Sequence, residues 1–243
     1  MAKLHFKYGA MNSGKSDTLI KTAYNYDERG LATLTVKAEF DTKGEDWVVA
    51  RGGARRQVDV LAHSGEDLRA RVHAMADERG LRPLHCVLVD ESQFLEPAQI
   101  DDLFRIAKHD GVSVICYGLR SDFRTSMFPG ASRLFELADN IEKLPTMCRC
   151  GSQAEFNCRA VGGRFVFEGS QVAIDVAGDA AAGGEEHVVG GGGAAQCGGD
   201  IAGGVGQVLG VEDLGGDGQF GREFGRGFGV LVGIRVVRIL RFR

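Results

Sequence analysis

GAMNSGKS, residues 9–16, is the stretch on which the reading of this chain turns. It fits G-x-x-x-x-G-K-[ST]. It follows KLHFKY (3–8), which reads as a strand, and it opens a run from Asp17 to Arg29 that reads as a helix closed by Gly30. Phosphate chemistry accounts for the residue types. Gly9 and Gly14 let the backbone wrap a phosphate chain, while the N–H groups of Ala10, Met11, Asn12 and Ser13 and the helix N-terminus supply positive partial charge. Lys15 then reaches the β and γ phosphates and Ser16 ligates Mg²⁺. A chance glycine turn is the alternative, and the strand-to-helix context argues against it.

Outward from this loop, short β-rich runs alternate with amphipathic helical stretches to about residue 145. ATLTVKAEF (32–40) reads as a strand, and Glu66 to Arg79 as a helix with Leu68, Val72, Met75 and Ala76 on one face. HCVLVD (85–90) reads as a strand buried on both sides, followed by a helix from Pro97 with Ile100, Leu103, Phe104 and Ala107 inward. VSVICYG (112–118) is another such strand, so Cys86 and Cys116 read as core residues, and Cys158 as structural too. Strict alternation predicts an α/β fold: a P-loop NTPase-like, mostly parallel sheet with helices on both faces. The ligand then lies beyond the carboxyl ends of the strands.

A phosphate loop of this kind needs a second acid at the end of a buried strand, and CVLVDES (86–92) supplies it. Asp90 would hold Mg²⁺ through water, and Glu91 would accept a proton from an attacking hydroxyl. Alternatively, Glu91 merely caps the following turn. Ser92 and Gln93 complete the predicted nucleotide-binding set, with Gln93 supporting the turn.

The composition sets outer limits. At 243 residues and 44% hydrophobic, the chain can bury one core plus a small appendage. A formal charge of -4 carries no footprint of a general nucleic-acid or membrane-surface binder. No run of eighteen apolar residues occurs, and MAKLHFKYGA lacks a secretory h-region, which leads to the expectation of a cytoplasmic protein. Its six cysteines are then core residues or metal ligands rather than disulfide partners.

GAMNSGKS, VLVDESQF, CYGLRSDFRTSMFPGA and TMCRCGSQAEFN, in this order and at these intervals, resemble the type II thymidine kinases, the zinc-containing cytosolic family, over about residues 1–175. The resemblance implies transfer of the ATP γ-phosphate to the 5′-hydroxyl of thymidine with Glu91 as the base, and assembly into tetramers. It places Met11, Leu119, Phe123 and Phe128 against the nucleoside base, although a Leu and Phe cluster after a strand end fits a core as well as a pocket. Arg124 and Arg51 become candidates for stabilising charge on the transferred phosphoryl group. Asp41 matches an aspartate that follows the second strand, and residues 43–57 read as a flexible hairpin or an ordinary surface loop. Cys148 and Cys150 match half of a structural Zn²⁺ site in a small zinc-ribbon-like lid, residues 146–175.

The resemblance breaks after that point. Where the second pair of zinc ligands should fall, only His187 and Cys197 are near, at the wrong spacing, and no tyrosine follows Tyr117 to close a loop over the base. From Val176 onward Lys, Pro, Ser, Thr, Tyr, Asn, Met and Trp are all missing, while 21 of the 36 glycines lie there. Such a stretch, 176–243, is expected to be disordered, either as a native tail or as a product of a shifted frame in a GC-rich gene. A missing lid should cost thymidine affinity more than ATP affinity. Two other functions therefore stand beside the kinase: an ATP-binding remnant without nucleoside phosphorylation, and a P-loop ATPase that moves a partner.

Overall fold

The computed structural model describes residues 2–39, 46–148, 151–161, 164–168 and 185–190. They belong to one compact unit, Met1–Gly204. In chain order the elements are β1 (Leu4–Tyr8), α1 (Lys15–Asp27), β2 (Ala32–Ala38), β3 (Trp47–Val49), β4 (Arg55–Gln57), β5 (Val60–Ala62), α2 (Leu68–Glu78) and β6 (Leu84–Asp90). A 3-10 turn at Ser92–Phe94 leads to α3 (Pro97–Lys108), β7 (Ser113–Gly118), α4 (Pro129–Leu137) and β8 (Asn140–Lys143). Then come β9 (Ala154–Val161), β10 (Arg164–Val166) and β11 (Glu185–Gly190).

The main sheet runs β5-β2-β6-β7-β1-β8, and every neighbouring pair is parallel. Its strands alternate between two buried faces. Val36, Val87, Val89, Val114 and Cys116 turn to a core shared with α2, α3 and α4, while Cys86, Leu88 and Tyr117 pack with Leu19 and Ala23 of α1 and Val48 of β3. Helices therefore cover both faces, as the alternation predicts. Packing rather than propensity holds α1. Its Thr18 and Thr22 hydroxyls bond back to the Gly14 and Thr18 carbonyls, a pattern that weakens helices slightly. Leu19 and Ala23 are fully buried, and burying a side chain of leucine size contributes roughly 1.5–3 kcal/mol.

α3 starts where Pro97 and a reciprocal Glu96–Gln99 capping box predict. One inward assignment changes there: Ile106 is fully buried and Phe104 only half-buried, with the Lys108 ammonium over its ring. The predicted hairpin is present as β3 paired antiparallel with β4, Trp47 opposite Gln57. Cys86, Cys116 and Cys158 are buried, as expected. β9 is the centre of a small antiparallel sheet, β10-β9-β11. β11 falls inside the glycine-rich segment and pairs with β9 from Glu185 to Gly190. Asp41, Cys150, Cys197 and the remainder of 176–243 lie outside the described residues.

Candidate active site

The phosphate loop connects the end of β1 to the start of α1. Gly14 takes φ 72° as the residue before the helix, and Asn12 takes φ 67°, so the loop twice uses left-handed backbone. Gly9 is required for a different reason. A Cβ there would lie 2.4 Å from Ser13 Oγ and 2.7 Å from the Leu144 carbonyl oxygen. The loop encloses the Lys15 side chain, 9% exposed, whose Nζ donates to the carbonyls of Ala10 (3.1 Å) and Gly9 (3.4 Å) and to Ser13 Oγ (3.5 Å). Burial pushes its amine below the ordinary lysine value, opposed by the fields of Glu91 and Asp90.

Those two carboxylates come from the end of β6, on the far side of β7 from the loop. Asp90 is buried, and its Oδ2 accepts from Ser16 Oγ at 3.4 Å. The fit to Mg²⁺ is chemical: a hydroxyl and a carboxylate form a hard oxygen pair beside a phosphate loop. Glu91 takes φ 48°, ψ 39°, a conformation that costs a non-glycine residue on the order of 1 kcal/mol. Its side chain makes no capping bond to the turn it precedes. Instead Oε2 accepts from Gln93 Nε2 at 2.6 Å, while Gln93 Oε1 accepts the Leu119 N–H at 3.0 Å. Capping, the competing reading of Glu91, is not what this side chain does.

Ser92 and Gln93 spend their polar atoms on the protein itself. Ser92 Oγ donates to the Tyr117 carbonyl at 2.9 Å, and both residues are essentially inaccessible. Both side chains therefore hold the turn that bears Glu91. Two glycines make room for the turn. A Cβ on Gly118 would lie 2.7 Å from Ser92 Oγ and Gln93 Oε1, and one on Gly130 would lie 2.6 Å from the carbonyl oxygens of Ser92 and Leu95.

The loop after β7 is organised by Asp122. Its Oδ1 accepts the N–H groups of Arg124 (2.9 Å) and Ser126 (3.0 Å), and its Oδ2 accepts from Arg124 Nε (2.9 Å). Arg124 is thus tied back to its own loop, and Arg51 is exposed beyond the end of β3. Among the residues proposed to pack on a base, Phe128 sits in the main core with its ring edge-on to Phe94. Leu119 is half-buried against that core. Phe123 is 3% exposed, with the Arg159 guanidinium 3.9 Å from its ring centre. Met11 is half-buried in the phosphate loop.

Two buried polar positions beside the site escaped the sequence. Lys37 on β2 is 1% exposed, stands in register beside Asp90, and its Nζ donates to the Trp47 carbonyl at 3.3 Å. A buried lysine at the carboxyl end of a strand was visible in ATLTVKAEF, but the hydropathy pattern alone does not separate it from a surface lysine. Asn157 on β9 accepts the Met11 N–H at 2.8 Å and donates to the Ser121 carbonyl at 3.1 Å. Cys148 is buried with Ala10 and Ala154. Among the described residues no three Cys, His, Asp or Glu side chains cluster as a metal site.

A family model described as thymidine kinase matches residues 2–186. Over 176 residues, 72% of the chain, it is 42% identical to a thymidine kinase of Yersinia pestis, covering 88% of that protein. Over the same length it is 40% identical to the thymidine kinases of Mesorhizobium japonicum and Pasteurella multocida, covering 85% and 90% of them.

Proposed function

The chain belongs to the thymidine kinase family, and from this we propose that it transfers the γ-phosphate of ATP to the 5′-hydroxyl of thymidine, giving thymidine monophosphate. The observation that carries this reading is the meeting of Lys15, Ser16, Asp90 and Glu91 from two strand ends that β7 separates. The loop amides and the Lys15 ammonium bind the β and γ phosphates and neutralise the charge that develops there. Ser16 and Asp90 would hold Mg²⁺, which when bound offsets phosphate charge. Glu91, held by Gln93, takes the proton of the 5′-hydroxyl as its oxygen attacks phosphorus in line with the departing ADP oxygen. Met11, Leu119 and Phe123 would border the nucleoside.

Thymidine monophosphate formation by the full chain with ATP, Mg²⁺ and thymidine tests this. Glu91→Gln is expected to lose about 10²-fold or more in turnover, in line with the worth of a general base, while ATP still binds. ATP binding without product from the unaltered chain would instead support the kinase remnant. We propose further a cytoplasmic tetramer, checked by light scattering. In sequence Cys148 and Cys150 match only half of a zinc site, so zinc content well below one ion per chain is expected by elemental analysis.

A further inference from the structure

We infer that Asn157 is a positioning residue that couples the phosphate loop to the loop following β7, so that nucleotide and nucleoside strengthen each other's binding. The inference rests on the thymidine kinase reading. Asn157 is 7% exposed, and both halves of its amide are committed: Oδ1 to the Met11 N–H at 2.8 Å and Nδ2 to the Ser121 carbonyl at 3.1 Å. A backbone N–H only donates and a carbonyl only accepts, so the amide can face one way only. One side chain therefore fixes a phosphate-loop backbone atom relative to the loop that bears Phe123.

β9 supports the same loop at further points. Arg159, two residues on and so on the same face of the strand, places its guanidinium 3.9 Å from the Phe123 ring centre. Arg120 Nη2 donates to the Glu155 carbonyl at 3.3 Å, and its guanidinium lies 4.9 Å from the Phe156 ring centre. The loop thus rests on β9, and Asn157 carries that support through to the phosphate loop. A ligand that orders one loop pre-orders the other through this amide, and linkage makes the effect reciprocal.

The test is calorimetric titration of the full chain with a non-hydrolysable ATP analogue and Mg²⁺, with and without saturating thymidine, for the unaltered protein, Asn157→Leu and Asn157→Asp. Leucine keeps the volume and removes both bonds. Aspartate keeps the acceptor for Met11 and turns a carboxylate oxygen towards the Ser121 carbonyl. Thymidine should tighten analogue binding by about fivefold or more in the unaltered chain and by less than about twofold in either variant that retains a cooperative melt. No enhancement in the unaltered chain, or full enhancement in the variants, overturns the inference. Thymidine phosphorylation is measured alongside. Its absence in the unaltered chain counts against the kinase reading itself, whereas turnover with unchanged coupling counts against Asn157 alone.

Discussion

Gly130→Ala separates two forces of opposite sign at one position. Gly130 lies in the first turn of α4, where alanine is favoured over glycine by up to about 1 kcal/mol on helix propensity. Yet the added Cβ would sit 2.6 Å from the carbonyl oxygens of Leu95 and Ser92 and 2.9 Å from that of Gln93, where ordinary contact begins at 3.4 Å. Those atoms are backbone, so no rotamer change relieves the contact, and the turn must retreat by about 0.8 Å, the difference between 3.4 and 2.6 Å. Overpacking of this kind costs typically 1–3 kcal/mol, which outweighs the propensity gain and leaves a net loss of about 1 kcal/mol. For a chain of this size that is a Tm drop of about 2–4 °C. The same retreat carries Glu91 away from the phosphate loop, and misplacement by 1 Å can cost about 10²-fold in rate. The expected signature is a small thermal shift beside at least a tenfold loss of thymidine monophosphate formation, read by a melt and a steady-state assay on the same preparation. A raised Tm with unchanged kcat is what propensity alone would give, and it would refute the picture of a turn clamped by its neighbours.

The buried Lys15 amine is depressed by burial, so the folded chain resists its charge, and stability on its account rises as pH climbs towards the ordinary value of 10.5. Lys15→Met is therefore expected to melt no lower than the unaltered chain at pH 7 while binding ATP at least about tenfold more weakly; a large fall in Tm counts against this. Hydrogen bonds from Arg69 first, and then from His73, hold the Asp110 carboxyl at about 2. Its contribution is present above the ordinary carboxylate value of 3.8 and is lost as pH falls towards 2. Asp110→Asn should thus lower the urea midpoint by the equivalent of roughly 1–2 kcal/mol at pH 7, after allowance for solvent screening, and converge with the unaltered protein only as pH falls through about 2.

The sheet was legible because parallel strands buried on both faces leave continuous apolar runs, as in HCVLVD and VSVICYG, and because α2 shows its buried stripe of Leu68, Val72, Met75 and Ala76 openly. The phosphate loop was legible because its chemistry is local: glycine, lysine and serine at fixed spacing. Support for the site was not. Gly118 and Gly130 matter for what a Cβ would strike in a turn some thirty residues distant, and nothing beside them in sequence marks it. Asn157 joins partners 146 and 36 residues away. Phe128 was ambiguous for a related reason: a phenylalanine after a strand end looks the same whether it turns to the Phe94 ring or to a ligand.

The order of strands explains why these supports converge on one point. β7 lies between β1, which delivers the phosphate loop, and β6, which delivers the carboxylates, so the loop and Asp90 must meet across the end of β7. A bulky residue at that end would hold them apart, and Gly118 stands there. Its carbonyl accepts the Gly9 N–H at 3.2 Å, the Tyr117 carbonyl accepts from Ser92, and the Leu119 N–H donates to Gln93. Three consecutive residues thus fix the phosphate loop, the turn that bears Glu91, and the start of the loop that bears Phe123. A shift of β7 along its axis would move all three together. Loss of a single bond at this end should therefore alter one loop's position and leave the other two in register, which is why the individual variants are expected to differ in whether nucleotide binding, nucleoside binding or turnover is the first to fail.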